Sequence, residues 1–197
     1  VPTMSVPNWL ASWSGAPPEI SGQIGNLLAE ETAFDTIFNV TKAAGVSAMS
    51  QGNIPVIQSF LPLFGGDHSL KDLTAVREKN PHDIDEFPSP GDAQRRDIAL
   101  RVIESGEHDF MFFHMQDVDE QGHCCGVLEK FNQRDGYRRA ARGAGTSIRR
   151  YMEAVGNDTT VIVISDHGHT DPGGHGGVDH HNFRVPFMAF RRDSGLG

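Results

Sequence analysis

Asp and His residues gather in three short stretches of this 197-residue chain: DVDEQGH at 117–123, SDHGH at 165–169 and GGHGGVDHH at 173–181. Six of the ten histidines lie at position 123 or between 167 and 181. Carboxylate oxygens beside imidazole nitrogens form the donor set of a borderline divalent cation. Asp119 and His123, four residues apart around a turn opened by Gly122, are expected to converge on one cation. Asp166 and His167 are neighbours and can share a site only where the backbone turns sharply, which Gly168 permits. Further imidazoles, His175, His180 and His181, lie on a glycine-rich, metal-friendly loop. Any one of these pairs is weak, because a strand-end Asp more often caps a helix or closes a turn. Their combination carries the reading. A different chemistry is offered by Ser5, whose hydroxyl stands at the start of a helix, where unpaired N–H groups and the dipole favour a phosphate. Taken alone, Ser5 is better read as a helix cap.

These side chains need strands to bring them to one edge of a sheet. FMFF at 110–113 and VIVI at 161–164 are short apolar runs bounded by polar residues. Such runs suit strands buried on both faces, and neither is long enough to cross a membrane. The pattern predicts a helix at 5–15 around Trp9, Leu10 and Trp13, a loop at 15–25, a helix at 32–44 stopped by Gly45, and a small strand at 46–49. The proline-bearing stretch 51–90 reads as connecting structure. Then come a helix at 92–106, a strand at 109–115, an amphipathic helix at 134–155, and strands at 160–165 and 185–190. This alternation predicts a three-layer α/β/α sandwich with a mainly parallel central sheet, in which ligands bind at the carboxyl ends of strands. With no repeat or composition break, the chain reads as one domain over 1–197.

A net charge of −9 argues against a nucleic-acid duplex as partner. Arg134, Arg138, Arg139, Arg142, Arg149 and Arg150 form the one basic concentration and read as the solvated face of a helix. Cys124 and Cys125 are adjacent, too close through one peptide for usual disulfide geometry, and are not expected to bridge. No signal peptide is read in these residues, but the chain begins with Val-Pro-Thr rather than Met, so its true start is expected to lie upstream.

Residues 119–126, DEQGHCCG, resemble the D-x-x-G-H-x-x-G motif of the alkaline phosphatase superfamily, in its type I phosphodiesterase/nucleotide pyrophosphatase branch. ISDHG at 164–168 resembles the S-D-H-G motif of the same family. TDPGGHGG at 170–177 is similar to a segment of the related ethanolamine phosphate transferases of GPI-anchor synthesis. At the amino-terminal end, residues 2–26 resemble the nucleophile region of nucleotide pyrophosphatases, P-T-x-[TS]-x-P-N followed by G-x-x-P-E-x-x-G-I-x-x-N.

The resemblance implies an alkaline-phosphatase-like catalytic domain holding two divalent metal ions, zinc by the family's precedent. It makes Ser5 the nucleophile, where threonine is commoner in the family, and Asn26 the partner of a phosphoryl oxygen. Asp119, His123 and a later histidine would hold one ion, with Asp166, His167 and Ser5 on the other. The later histidine is His175 by the H-G pattern of the phosphodiesterases, with His180 the competitor by its likeness to cofactor-independent phosphoglycerate mutases. The family also carries an Asp on a first strand ahead of the nucleophile, so the chain is expected to be truncated at its amino terminus. The expected substrate is a small phosphate ester or phosphodiester, and the expected setting is extracellular or in the secretory-pathway lumen. Membrane attachment would need segments outside this chain. Three rivals stand beside this hydrolase: an ethanolamine phosphate transferase continuing into membrane spans after Gly197, a non-catalytic metal-binding domain of the same fold, and a surface His tract that sequesters metal.

Overall fold

The computed structural model describes residues 3–26, 34–51, 92–127, 136–171 and 173–191. The connecting stretch expected at 51–90 lies almost wholly outside them, as do Arg134 and the start of the helix expected at 32–44.

Helix α1, Ser5–Ser14, forms where Val6, Trp9, Leu10 and Trp13 repeat at helical spacing, and all four are buried. Gly15, at φ 72°, ends it by donating its N–H to Ala11 O. The loop expected at 15–25 holds a short helix instead, α2, Pro18–Ser21. Pro18 at the first helical position presets φ, and Gly22 closes the turn. Helix α3, Ile37–Ala43, starts where Asn39 Oδ1 accepts from both the N–H and the hydroxyl of Thr36.

Strand β1, Ala48–Gln51, runs two residues later than its sequence pattern suggests. The displacement arises because Ser50 and Gln51, polar residues that read as loop, are fully buried in a parallel pairing with β2, Phe110–Phe113. The side chains of β2 alternate as a strand requires. Phe110 and Phe112 pack with α1 and Phe38, whereas Met111 and Phe113 pack with Ala99, Leu100, Ile103, Tyr151 and Val155. The latter group comes from helices α4, Asp92–Ser105, and α6, Gly136–Ala154, and from the residue just after α6. Ile164 and Val161 of β3, Thr160–Ile164, divide between the same two clusters, so helices lie on both faces of this layer.

The fold is mixed α/β, but among the described residues the sheet is two pairs of strands. β3 pairs antiparallel with β4, Phe187–Arg191, in the register Thr160↔Arg191 to Ile164↔Phe187. A parallel return needs a long crossover. Here the intervening chain builds the Gly/His loop and the four-residue helix α7, His180–Phe183, and comes back in the opposite direction. The exposed Arg138, Arg139, Arg142, Arg149 and Arg150 do occupy a solvated side of α6. No described helix is long and apolar enough to cross a membrane.

The segment 117–123, expected as a turn, is instead part of a nine-residue helix, α5, Asp117–Cys125. Two buried interactions fix its start. The Asp92 carboxylate accepts the backbone N–H groups of Gln116 and Asp117, and Asp117 Oδ1 accepts the N–H of Asp92. Each helix thus caps the other across 25 residues of sequence. Burial raises the Asp92 carboxyl, and it lowers the Arg95 guanidinium 3.5 Å away. Removing the carboxylate strips buried donors and Arg95 of their acceptor. Asp92→Ala should therefore cost about 2–4 kcal/mol, read as a lower urea midpoint at unchanged slope. An unshifted midpoint would remove Asp92 from the support of α5.

At its other end α5 carries Cys124 and Cys125, which the structure joins as a disulfide, against the expectation drawn from their spacing. Their Cα atoms are 3.8 Å apart in the last turn, where the chain leaves the helix through Gly126 at φ 71°.

His114, just past β2, is buried edge-on against Trp9 at 5.3 Å between ring centroids. Burial pushes its imidazole down to about 4, with Asp166 opposing part of the shift. The unfolded chain therefore takes up this proton before the folded one does. Stability should fall as pH drops from about 6.5 towards 4, by up to about 3 kcal/mol for this group. His114→Gln should flatten that part of a urea-midpoint profile, and an unchanged slope would contradict the assignment.

Candidate metal centre and nucleophile

Three elements bring the acidic and imidazole groups together. Helix α5 presents Asp119 and His123 one turn apart, with His123 Nε2 3.6 Å from Asp119 Oδ1. The segment after β3 supplies Asp166, His167 and His169. The glycine loop supplies His175, between Gly174 at φ 80° and Gly176 at φ 102°, conformations a side chain rarely adopts. That loop is tied down by Asn182, buried in α7, whose amide donates to Gly176 O at 2.9 Å.

His123 Nε2 and His175 Nε2 approach to 3.1 Å, and His167 Nε2 lies 4.0 Å from Asp119 Oδ1. Among the described residues, two groups of three have ligand atoms within 4.8 Å of one another: Asp119, His123 and His175, and Asp119, His167 and His169. Asp119 belongs to both. The rings of His167 and His175 stack at 3.6 Å. His167 Nε2 also lies 3.3 Å from Asp166 Oδ2 and 3.2 Å from Ser5 Oγ, so these three expected partners meet as well. His180 enters neither group; it is exposed on α7 beside His181, with ring centroids 5.5 Å apart.

Gly168 is needed for a different reason than the expected sharp turn. It is absent from the glycines of positive φ, but a Cβ there would run into the backbone carbonyl of His181. The turn itself is closed by Ser165 Oγ, which donates to His167 O at 2.7 Å.

Burial lowers the imidazoles of His123 and His167 from their usual value, which keeps both neutral and able to ligate. At Asp119, burial pushes the carboxyl up, but the hydrogen bond from His169 and the facing imidazoles outweigh it and hold the group below its usual value.

Ser5 is the first residue of α1, and Met4 occupies the cap position, so the hydroxyl is not spent on capping. It donates to His167 Nε2, whose Nδ1 side faces Gly168 O at 3.1 Å. The supply of first-turn amides is poorer than expected. Val6 N–H is taken by Asn26 Oδ1 at 3.1 Å, Pro7 has none, and Asn8 N–H reaches Met4 O at 3.3 Å. Asn8 itself ties α1 to the site, donating from Nδ2 to Asp166 O at 2.7 Å.

Sequence reasoning missed His169, Asn8 and Asn182. His169 carried a signal, its place two residues beyond His167 in SDHGH, and so did Asn8, the last residue of the P-T-x-[TS]-x-P-N pattern.

The family model of type I phosphodiesterase / nucleotide pyrophosphatase matches residues 64–183. The chain belongs to this family. Membership places the Asp119 and His167 segments inside the family's own region, whereas Ser5 and Asn26 lie ahead of the matched stretch. Among curated relatives of the family member described here, GPI ethanolamine phosphate transferase 1 of Mus musculus is 26% identical over 96% of the chain. GPI ethanolamine phosphate transferase 3 of Eremothecium gossypii is 35% identical over 38% of it. The chain spans about a fifth of the mouse protein, 21%, and 7% of the fungal one. Among solved structures, phosphonoacetate hydrolase from Sinorhizobium meliloti 1021, in complex with phosphonoformate, superposes with a TM-score of 0.52 at 17% identity. The match covers 85% of this chain and 46% of that one, and it is a likeness of fold.

Proposed function

We propose that this chain carries the catalytic centre of a two-metal phosphate-ester hydrolase of the phosphodiesterase type, with Ser5 as nucleophile. The observation that carries it is the position of His167 Nε2, 3.2 Å from Ser5 Oγ and 3.3 Å from Asp166 Oδ2, beside the carboxylate of Asp119.

The donor set fits divalent zinc. It combines carboxylate oxygens with imidazoles, and His167 and His175 each turn Nδ1 to a backbone carbonyl, Gly168 O and Thr3 O, which leaves Nε2 to ligate. Asp119, His123 and His175 would hold one ion and Asp166, His167 and Ser5 the other. Cations bound there supply charge neutralisation at the phosphoryl oxygens and ease ionisation of a nearby hydroxyl. Ser5 Oγ attacks phosphorus in line, forming a phosphoserine ester as the leaving alcohol departs. Asn26, its Oδ1 anchored on Val6 N–H, directs Nδ2 at a non-bridging oxygen where negative charge grows. Water then releases the product. A lumenal or extracellular setting goes with this reading.

A second reading differs only in the acceptor. Both curated relatives named above are GPI ethanolamine phosphate transferases, and in such an enzyme an alcohol replaces water in the second half-reaction. An aryl phosphodiester assay on the zinc-loaded protein separates the cases. The hydrolase predicts zinc-dependent phenolate release with the phosphoryl group ending on water. A transferase would divert it to an added alcohol, and a metal-binding module would hold zinc yet release no phenolate.

A further inference from the structure

Four histidines face Asp119 or its neighbours, and His169 is oriented in the opposite sense to His167 and His175. His167 and His175 direct Nδ1 to backbone carbonyls, at 3.1 and 2.7 Å, and keep Nε2 for the centre. His169 directs Nε2 to Asp119 Oδ1, at 2.9 Å, and its Nδ1 is buried with no hydrogen-bond partner among the described residues. We propose that His169 is a positioning residue, which donates from Nε2 to Asp119 Oδ1 and so fixes the carboxylate that would ligate one ion with His123 and His175. This deepens the function proposed above and rests on its reading of Asp119 as a metal ligand.

Two physical arguments separate this role from ligation by His169 itself. A histidine that ligates through Nε2 carries a proton on Nδ1, and that N–H is almost always given to an acceptor. Here it would be buried without one, an expensive state. In the other tautomer, Nε2–H is satisfied by the carboxylate and Nδ1 is an unprotonated ring nitrogen. The ring is also locked in place by packing. His169 is 8% exposed, and Gly122, three residues after Asp119 on the same side of α5, leaves room for it. A Cβ on Gly122 would stand 2.5 Å from the His169 ring. Tyr137 meets the ring edge-on at 6.2 Å between centroids. The helix that bears Asp119 thus also shapes the seat of the group that orients it.

The test combines zinc titration against a chromophoric chelator with long-range ¹⁵N spectra of the imidazoles in the zinc-loaded intact protein. The spectra should show His169 protonated on Nε2 and His167 and His175 protonated on Nδ1. His169→Ala should weaken zinc binding by about 10–100-fold at unchanged stoichiometry, and His169→Gln, which restores an N–H donor, should recover part of the loss. Wild-type affinity in His169→Ala would overturn the proposal. So would the loss of a whole zinc equivalent without rescue by Gln, or a proton on Nδ1 of His169, since either makes it a ligand. The tautomer is read in the unsubstituted protein and decides the matter even where a variant does not fold. Asp119→Ala in the same titration keeps the underlying reading separate: unchanged zinc affinity there refutes Asp119 as a ligand, whatever His169 does.

Discussion

Ser5→Ala should lower turnover of an aryl phosphodiester by at least about 10³-fold, since loss of a covalent nucleophile can reach the order of 10⁶-fold in kcat. Zinc content should stay close to that of the unsubstituted protein, because Asp119, His123, Asp166, His167 and His175 all remain. The hydroxyl is otherwise spare. It caps no helix, and its partner is His167 Nε2. Removing it leaves α1 held by Trp9, Leu10 and Trp13, so the melting temperature should hardly move. Unchanged turnover would take Ser5 out of the chemistry. A large fall in melting temperature would mean that the residue is structural.

Asp119→Ala should be still more disruptive, because Asp119 is the carboxylate that meets His123 and His175 in one group and also faces His167 Nε2 at 4.0 Å. Zinc affinity should fall by more than about 100-fold, beyond the 10–100-fold expected of a group that merely orients a ligand. Activity should be lost with it. The outcome also separates a built centre from a His-rich surface tract. Such a tract would bind through the exposed His180 and His181 and would be indifferent to Asp119. Retention of zinc in this variant would favour the tract.

What could be read in advance follows the range of the forces involved. The spacing of Val6, Trp9, Leu10 and Trp13, and the apolar runs FMFF and VIVI, are local signals, and α1, β2 and β3 form where they fall. Spacing pairs Asp119 with His123 and Asp166 with His167, but only the family motifs join these pairs to Ser5 and His175, since no local pattern links residues up to 170 positions apart. Helix α5 was hidden by Gly122 and the paired cysteines, and its start is held by Asp92, a partner 25 residues away. Strand β1 was displaced because Ser50 and Gln51 are buried polar residues. The antiparallel return of β4 depends on what the loop builds, which periodicity does not report. His169 stands in plain view in SDHGH, but the contact of its Nε2 with Asp119 joins residues 50 positions apart, which no local pattern reports.

In the function proposed above, distant carboxylates and imidazoles form one cradle for cations beside the Ser5 hydroxyl. Anomalous diffraction at the zinc edge, from crystals of the intact protein grown with zinc, tests it most directly. Two peaks are expected, one enclosed by Asp119, His123 and His175 and the other by Asp166, His167 and Ser5 Oγ. Zinc found instead at His180 and His181, or density distant from Ser5, would contradict it.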